Sequence, residues 1–286
     1  MKWQRARRSS NVEHGGRGIG GKGLSLGGIA IVVIIGLLSG QDPMQIIGNV
    51  GRQVMTEGVG TGGPAAPAAH NVENEAFVSS ILGDTEDTWR AIFSAAGQSY
   101  QDPKLVLFAG QVSSACGSAS SAVGPFYCPA DKKVYLDTQF FHEMETRFQA
   151  AGDLAKAYVI AHEVGHHVQT LLGISAKVNA ARQRGERVEG ANGLLVRQEL
   201  QADCLAGIWA HHAQQRLQWM VEGDLESALA AANAIGDDRL QKQSRGQVVP
   251  DSFTHGTSEQ RMRWFKVGFE GGEVGRCDTF AQGVRL

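Results

Sequence analysis

Two histidines four residues apart, His162 and His166, stand in the run Ala161-His162-Glu163-Val164-Gly165-His166-His167. Their neighbours Ala157, Val159, Ile160, Val164 and Val168 have the apolar density of a buried helix. On a helix, positions i and i+4 share one face, a turn apart. Two imidazoles so placed can hold one divalent ion. Glu163, one position round, can reach a water on that ion and take its proton as the water attacks a carbonyl carbon. This is the chemistry of metal-dependent amide hydrolysis. The plainer reading is a surface helix with two solvated histidines. The apolar flanks argue against it, because a buried His-Glu-His cluster without a partner is costly. Gly165 in mid-helix lowers helix propensity by roughly 1 kcal/mol relative to alanine, which makes sense where backbone or substrate must come close.

A catalytic zinc site needs a third protein ligand and an open fourth position. The best candidate lies in Arg197-Gln198-Glu199-Leu200-Gln201-Ala202-Asp203-Cys204. Glu199 and Asp203 are four apart on an otherwise apolar helix, so Glu199 can bind the ion while Asp203 accepts the free ring N–H of a ligand histidine. His211 and His212 are rival ligands, but they lie about three turns beyond Glu199. A third histidine at metzincin spacing is absent: Gln169 takes the glycine position and Leu172 the histidine position.

The elements that position these residues follow from periodicity and breakers. Asn74 to Ala96 reads as a helix, with a possible break at Gly83. Leu105–Phe108 is a buried strand, 113–124 a loop, and Phe126–Cys128 and Lys133–Leu136 are strands joined by a turn. Helices follow over 140–150, 154–172 with Asp153 as cap, 175–187, 195–221 and 224–235. Residues 241–256 read as loop. Thr257 and Gln260 form a capping box for the last helix. The class is α+β, mostly helical, with a small sheet packed on the metal-site helix.

The chain has 286 residues, 42% hydrophobic and 20% charged, with a net charge of −2. That balance gives no sign of a nucleic-acid partner. Many of the 37 glycines fall in the first 63 positions. Lys2, Arg5, Arg7, Arg8, Arg17 and Lys22, opposed by Glu13, precede the uncharged run Leu24–Leu38. Residues 1–23 therefore read as a basic cytoplasmic segment, 24–41 as a transmembrane signal-anchor, 42–72 as a Gly/Pro/Ala-rich linker and 73–286 as the catalytic domain. A cleaved secretory signal is the competing reading, although no clear cleavage site follows the apolar run. Either choice exports the domain, so its four cysteines should pair. Position in the chain suggests Cys116–Cys128 and Cys204–Cys277 among three possible connectivities.

The wider pattern resembles a known family. KWQRARRSSNVE, GPFYCPADKKVYLDTQFF, AHEVGHHVQ, RQELQADCLAGIWA and SFTHGTSEQRMRWF together are similar to the bacterial neutral zinc metallopeptidases, of gluzincin type, over nearly the whole chain. The resemblance implies a zincin-like domain on a membrane anchor, with His162, His166 and Glu199 as zinc ligands and Glu163 as base. It also implies that His255, in Phe253-Thr254-His255-Gly256-Thr257, faces the ion, either donating to the carbonyl oxygen as charge builds there or standing as a fourth ligand in a resting state. Arg261 and Arg263, and Tyr135 and Tyr158, are alternative donors. An extended substrate is expected to add to an edge strand, taken to be Lys133–Asp137.

The expectation is one zinc ion per chain and a peptide or protein substrate. The chain would be held by a single pass in the bacterial inner (cytoplasmic) membrane, with its N-terminus in the cytoplasm and the domain periplasmic or extracellular. The alternative is a latent zincin that serves as a membrane-tethered scaffold.

Overall fold

The computed structural model describes residues 1–15, 72–120, 123–146 and 150–286. The apolar run and the Gly/Pro/Ala-rich stretch up to residue 71 lie outside these residues. Among the described residues no helix is long and apolar enough to cross a membrane.

The fold is mixed α+β and mostly helical. In chain order the elements are β1 Val12–His14, α1 Val72–Ala95, β2 Lys104–Phe108, β3 Gln111–Ser114, β4 Gly117–Ser120, β5 Phe126–Cys128 and β6 Lys133–Asp137. They continue with α2 Phe140–Thr146, α3 Asp153–Leu171, α4 Ile174–Gln183, α5 Leu194–Leu217, α6 Asp224–Ala234, α7 Asp237–Arg245 and α8 Ser258–Gly271. Four strands form a sheet in the order β1-β2-β6-β5, with β5 antiparallel to β6 and the other pairs parallel.

Alternation along β2 and β6 separates two cores. Leu105, Leu107, Val134 and Leu136 join the main core, built with α1, α3 and α5. Val106, Phe108 and Tyr135 face the other way and meet Val112 and Cys128. The β3–β4 hairpin covers this second face, and Cys116–Cys128 ties it to β5. Helices α5 and α8 cross at backbone contact: a Cβ at Gly268 would stand 1.9 Å from the Cys204 carbonyl oxygen, and one at Gly207 2.1 Å from that of Phe265. The second disulfide, Cys204–Cys277, joins α5 to the tail beyond α8.

Several local expectations change. Helix α1 runs unbroken through Gly83, because the chain's first residues pack against it there. The stretch 113–124, read as loop, contributes to the β3–β4 hairpin. Short strands of Ser, Gly and Ala carry no apolar alternation, so the pattern hid them. Residues Asp237–Arg245 form a helix where loop was expected past Gln241. The long helix stops at Leu217, since Gln218 takes a left-handed conformation (φ 47°). Lys133–Asp137 is an inner strand, flanked by β2 and β5, and the antiparallel edge is Phe126–Cys128.

The largest change concerns the chain's start. Residues 1–15 are built into the domain, whereas the sequence reading sets residues 1–23 apart from it. Val12, Glu13 and His14 pair with Leu105, Val106 and Leu107, and Trp3 is buried in the main core. A three-residue strand and one tryptophan are invisible to periodicity in a basic, glycine-rich stretch.

Candidate metal centre

Helix α3 is buried along most of its length because it packs against α5 and α6 on one side and α1 on another. Gly165 permits the closest of these approaches. A Cβ there would lie 3.0 Å from the Ala202 carbonyl oxygen on α5. The crossing sets His162 and His166 opposite Glu199, one residue-face of α3 against one of α5.

The geometry is compact. His162 Nε2 lies 3.1 Å from Glu199 Oε2, and His166 Nε2 lies 3.4 Å from Glu199 Oε1. Among the described residues these three form the one group whose donor atoms, all within 4.8 Å of one another, could hold a metal ion. A tetrahedral ion with bonds of about 2.0–2.1 Å spaces its ligand atoms about 3.3 Å apart, so the observed separations fit zinc. Two imidazoles and one carboxylate are also the donor set that zinc takes in hydrolytic sites. Glu163 is 8% exposed beside them, close enough for its charge to act on His166.

Each of the two histidines is held from behind. His162 Nδ1 meets Asp203 Oδ1 at 2.8 Å, which leaves Nε2 for the ion. Asp203 is fully buried and also accepts from Tyr158 Oη at 2.5 Å, Arg261 Nε at 2.9 Å and Arg261 Nη2 at 3.0 Å. Burial works against ionisation of Asp203, but Arg261 and His162 outweigh it and hold its pKa down to about 2. His166 Nδ1 meets Gln169 Oε1 at 2.9 Å, and Gln169 Nε2 in turn donates to the Gln198 carbonyl and Gln201 Oε1. Burial opposes protonation of His162 and His166 as well, yet the charges of Asp203 and Glu199 respectively raise both pKa values. The pocket is thus rich in negative charge and draws a cation.

His255 enters from the loop before α8. Asp237 Oδ2 accepts the backbone N–H groups of Thr254, His255 and Gly256 at 2.7, 2.7 and 3.1 Å. Its Oδ1 lies 3.3 Å from His255 Nδ1. That carboxylate fixes the loop, and it shares the ring nitrogen with Thr254 Oγ1, 2.9 Å away. Burial lowers the His255 pKa, but the hydrogen bond to Asp237 and the charge of Glu199 raise it on balance. The side chain keeps 43% of its surface exposed.

The other candidates are placed elsewhere. His211 and His212 bond to the Phe269 and Gly272 carbonyls and cap α8. Arg261 is spent on Asp203 and is 2% exposed, and Tyr158 is buried beneath the same carboxylate. Tyr135 bonds to Asp131 on the far face of the sheet. Arg263 reaches the C-terminal Leu286. His167 faces away from the ligands, lying between Tyr127 Oη at 3.1 Å and the Gln101 carbonyl at 2.6 Å. Burial pushes its pKa down to about 4. Neutral His167 thereby pins the edge strand β5 to α3.

Sequence reasoning passed over Gln169 and Asp237. The available signals were a buried polar residue three positions after a ligand, on its helix face, and an acid opening a short amphipathic helix.

The model of the family described as "Putative neutral zinc metallopeptidase" matches residues 1–280. "Uncharacterized protein YpfJ" of Escherichia coli (strain K12) is 47% identical over 294 aligned positions, covering 99% of this chain and 100% of the relative. "Uncharacterized protein Mb2605" of Mycobacterium bovis is 44% identical over 215 positions, covering 72% of this chain and 71% of the relative. No solved structure matches. The chain belongs to this zinc metallopeptidase family.

Proposed function

We propose that this family member hydrolyses peptide bonds in peptides or proteins, with one zinc ion held by His162, His166 and Glu199. The observation that carries the reading is the convergence of those three donors beside Glu163. Bound zinc would supply Lewis acidity to a water and to the scissile carbonyl. Glu163 accepts the proton of the attacking water on a carboxylate oxygen and delivers it to the leaving amine nitrogen. His255, turned by Asp237, presents its Nε2–H to the carbonyl oxygen as negative charge grows there. Asp203 keeps His162 in the tautomer that leaves Nε2 free, and Gln169 does the same for His166. Strand β5, at the edge of the sheet, offers an extended substrate antiparallel pairing beside the metal helix.

Two disulfides support an oxidising compartment for the domain, periplasmic or extracellular. The uncharged run Leu24–Leu38 supports attachment to the bacterial cytoplasmic membrane.

The test is cleavage of a mixed peptide library by the full chain loaded with zinc, beside Glu163→Gln matched for metal content. Cleavage by the parent and loss of at least 100-fold in the variant is expected, in line with the usual contribution of a general base. Equal background from both, with zinc bound, would sink the peptidase reading in favour of a latent scaffold.

A further inference from the structure

We infer that residues 1–15 and the metal-binding domain lie on the same side of any membrane the chain meets. The inference is independent of peptidase activity and changes the single-pass orientation read from the basic N-terminus.

The contacts are those of a core element. The Met1 ammonium lies 3.3 Å from Asp224 and 3.7 Å from Asp153, at the starts of α6 and α3. Lys2 N–H donates to the Trp219 carbonyl at 2.8 Å, and Trp3 stacks edge-on against Phe77. Ser9 and Ser79 exchange two hydrogen bonds of 2.9 Å. Leu105 N–H then donates to the Asn11 carbonyl, and Gly15 N–H to that of Leu107, which extends the parallel pairing of β1 with β2.

Glu86 makes the dependence plain. Its carboxylate is 1% exposed and its hydrogen bonds come from the chain's start: Arg7 Nη2 at 2.6 Å, Ser9 Oγ at 2.5 Å and Asn11 Nδ2 at 2.8 Å. Removed to the other side of a bilayer, residues 1–15 would take all three of these hydrogen bonds from Glu86 and leave β2 with an open edge. Gly83 belongs to the same contact, since a Cβ there would stand 2.3 Å from the Arg7 carbonyl oxygen.

The two ends of the intervening stretch also meet. His14 Nε2 lies 3.2 Å from Glu75 Oε1 in the first turn of α1. That contact sets residue 14 and the first turn of α1 on one side of a bilayer. Signal cleavage would remove strand β1 and the buried Trp3 from the fold.

Two measurements test this. All four native cysteines are in disulfides, so introduced thiols report cleanly. Ser10→Cys and Glu222→Cys, both at exposed positions, are expressed separately in the full chain and treated with a membrane-impermeant maleimide, before and after the membrane is opened. The same response from both thiols is expected. Labelling of one before opening and the other only after would overturn the inference. In the second measurement, Gly83→Ala is compared with the parent by thermal unfolding of the purified full chain. If the start of the chain were not docked, alanine in mid-helix would raise Tm. Docking requires a lower Tm and faster proteolysis within residues 1–15. A rise in Tm refutes the inference whatever the labelling gives.

Discussion

Replacing Arg261 by methionine removes the one cation that neutralises Asp203 from behind the metal centre. Arg261 is 2% exposed and Asp203 is fully buried, so water cannot take over the broken bonds. Two charge-assisted hydrogen bonds are lost, at 2.9 and 3.0 Å. Deleting one partner of such a pair costs about 3–5 kcal/mol. Asp203 keeps the Tyr158 hydroxyl and the His162 ring, which places the expectation at the lower end, about 3 kcal/mol. For a domain of this size that is a fall in Tm of roughly 6–12 °C.

The loss also reaches the metal. With its cation gone, Asp203 is easier to protonate, and a protonated Asp203 no longer polarises His162. Disturbing such a supporting contact weakens metal binding by about 10–100-fold. The pH dependence has a definite sign. Asp203 is held at about 2, below its ordinary 3.8, so it stabilises the fold above about pH 4 and this contribution is lost as pH falls towards 2. In Arg261→Met the loss begins at higher pH. The assay is thermal unfolding of metal-stripped protein across pH 2–7, with zinc affinity measured against a competing chelator. Arg261→Lys keeps the charge but not the planar fork, and should fall between parent and methionine. Unchanged Tm together with unchanged zinc affinity in Arg261→Met would refute the reasoning.

Further outcomes follow from the same contacts. Gln169→Ala frees the His166 ring and should weaken zinc binding about 10-fold by chelator competition, while Gln98→Ala, at an exposed turn, leaves it unchanged. Asp237→Ala strips three backbone N–H groups of their acceptor and leaves the His255 ring nitrogen to Thr254 Oγ1. It should lower turnover well beyond any loss of zinc content, and a variant with parental kcat would remove His255 from the mechanism. Cys204→Ser with Cys277→Ser opens a loop of 73 residues and should cost about 2–5 kcal/mol in chemical denaturation. Insensitivity of the parent's unfolding midpoint to reductant would show that this bridge contributes nothing.

Much of the helical part of the fold was legible because apolar periodicity and breakers are local. The site helix, the capping box at Thr257 and Gln260 and the α6 stretch sit where the pattern puts them. The β3–β4 hairpin and helix α7 were not legible, since small polar strands and a charged nine-residue helix carry little apolar pattern. The inner position of β6 was hidden too. Which strand is the edge depends on neighbours from distant parts of the chain, and strand β1 pairs with β2 across 93 positions, Val12 with Leu105.

The sequence by itself determined the chemistry on offer: two imidazoles and a carboxylate one helical turn deep at 162–166, and a second pair of acids at 199 and 203. Those spacings work because a helix converts i and i+4 into neighbours without outside help. The tertiary structure alone decided what the rest is for. It brought Glu199 across 37 positions to His162, turned Arg261 from an oxyanion donor into the partner of Asp203, set Asp237 behind His255, and folded the basic start into the sheet. Each of these joins groups that only the packing of whole elements can bring together, and no local rule of periodicity or charge encodes a contact between surfaces that meet only after the chain has folded.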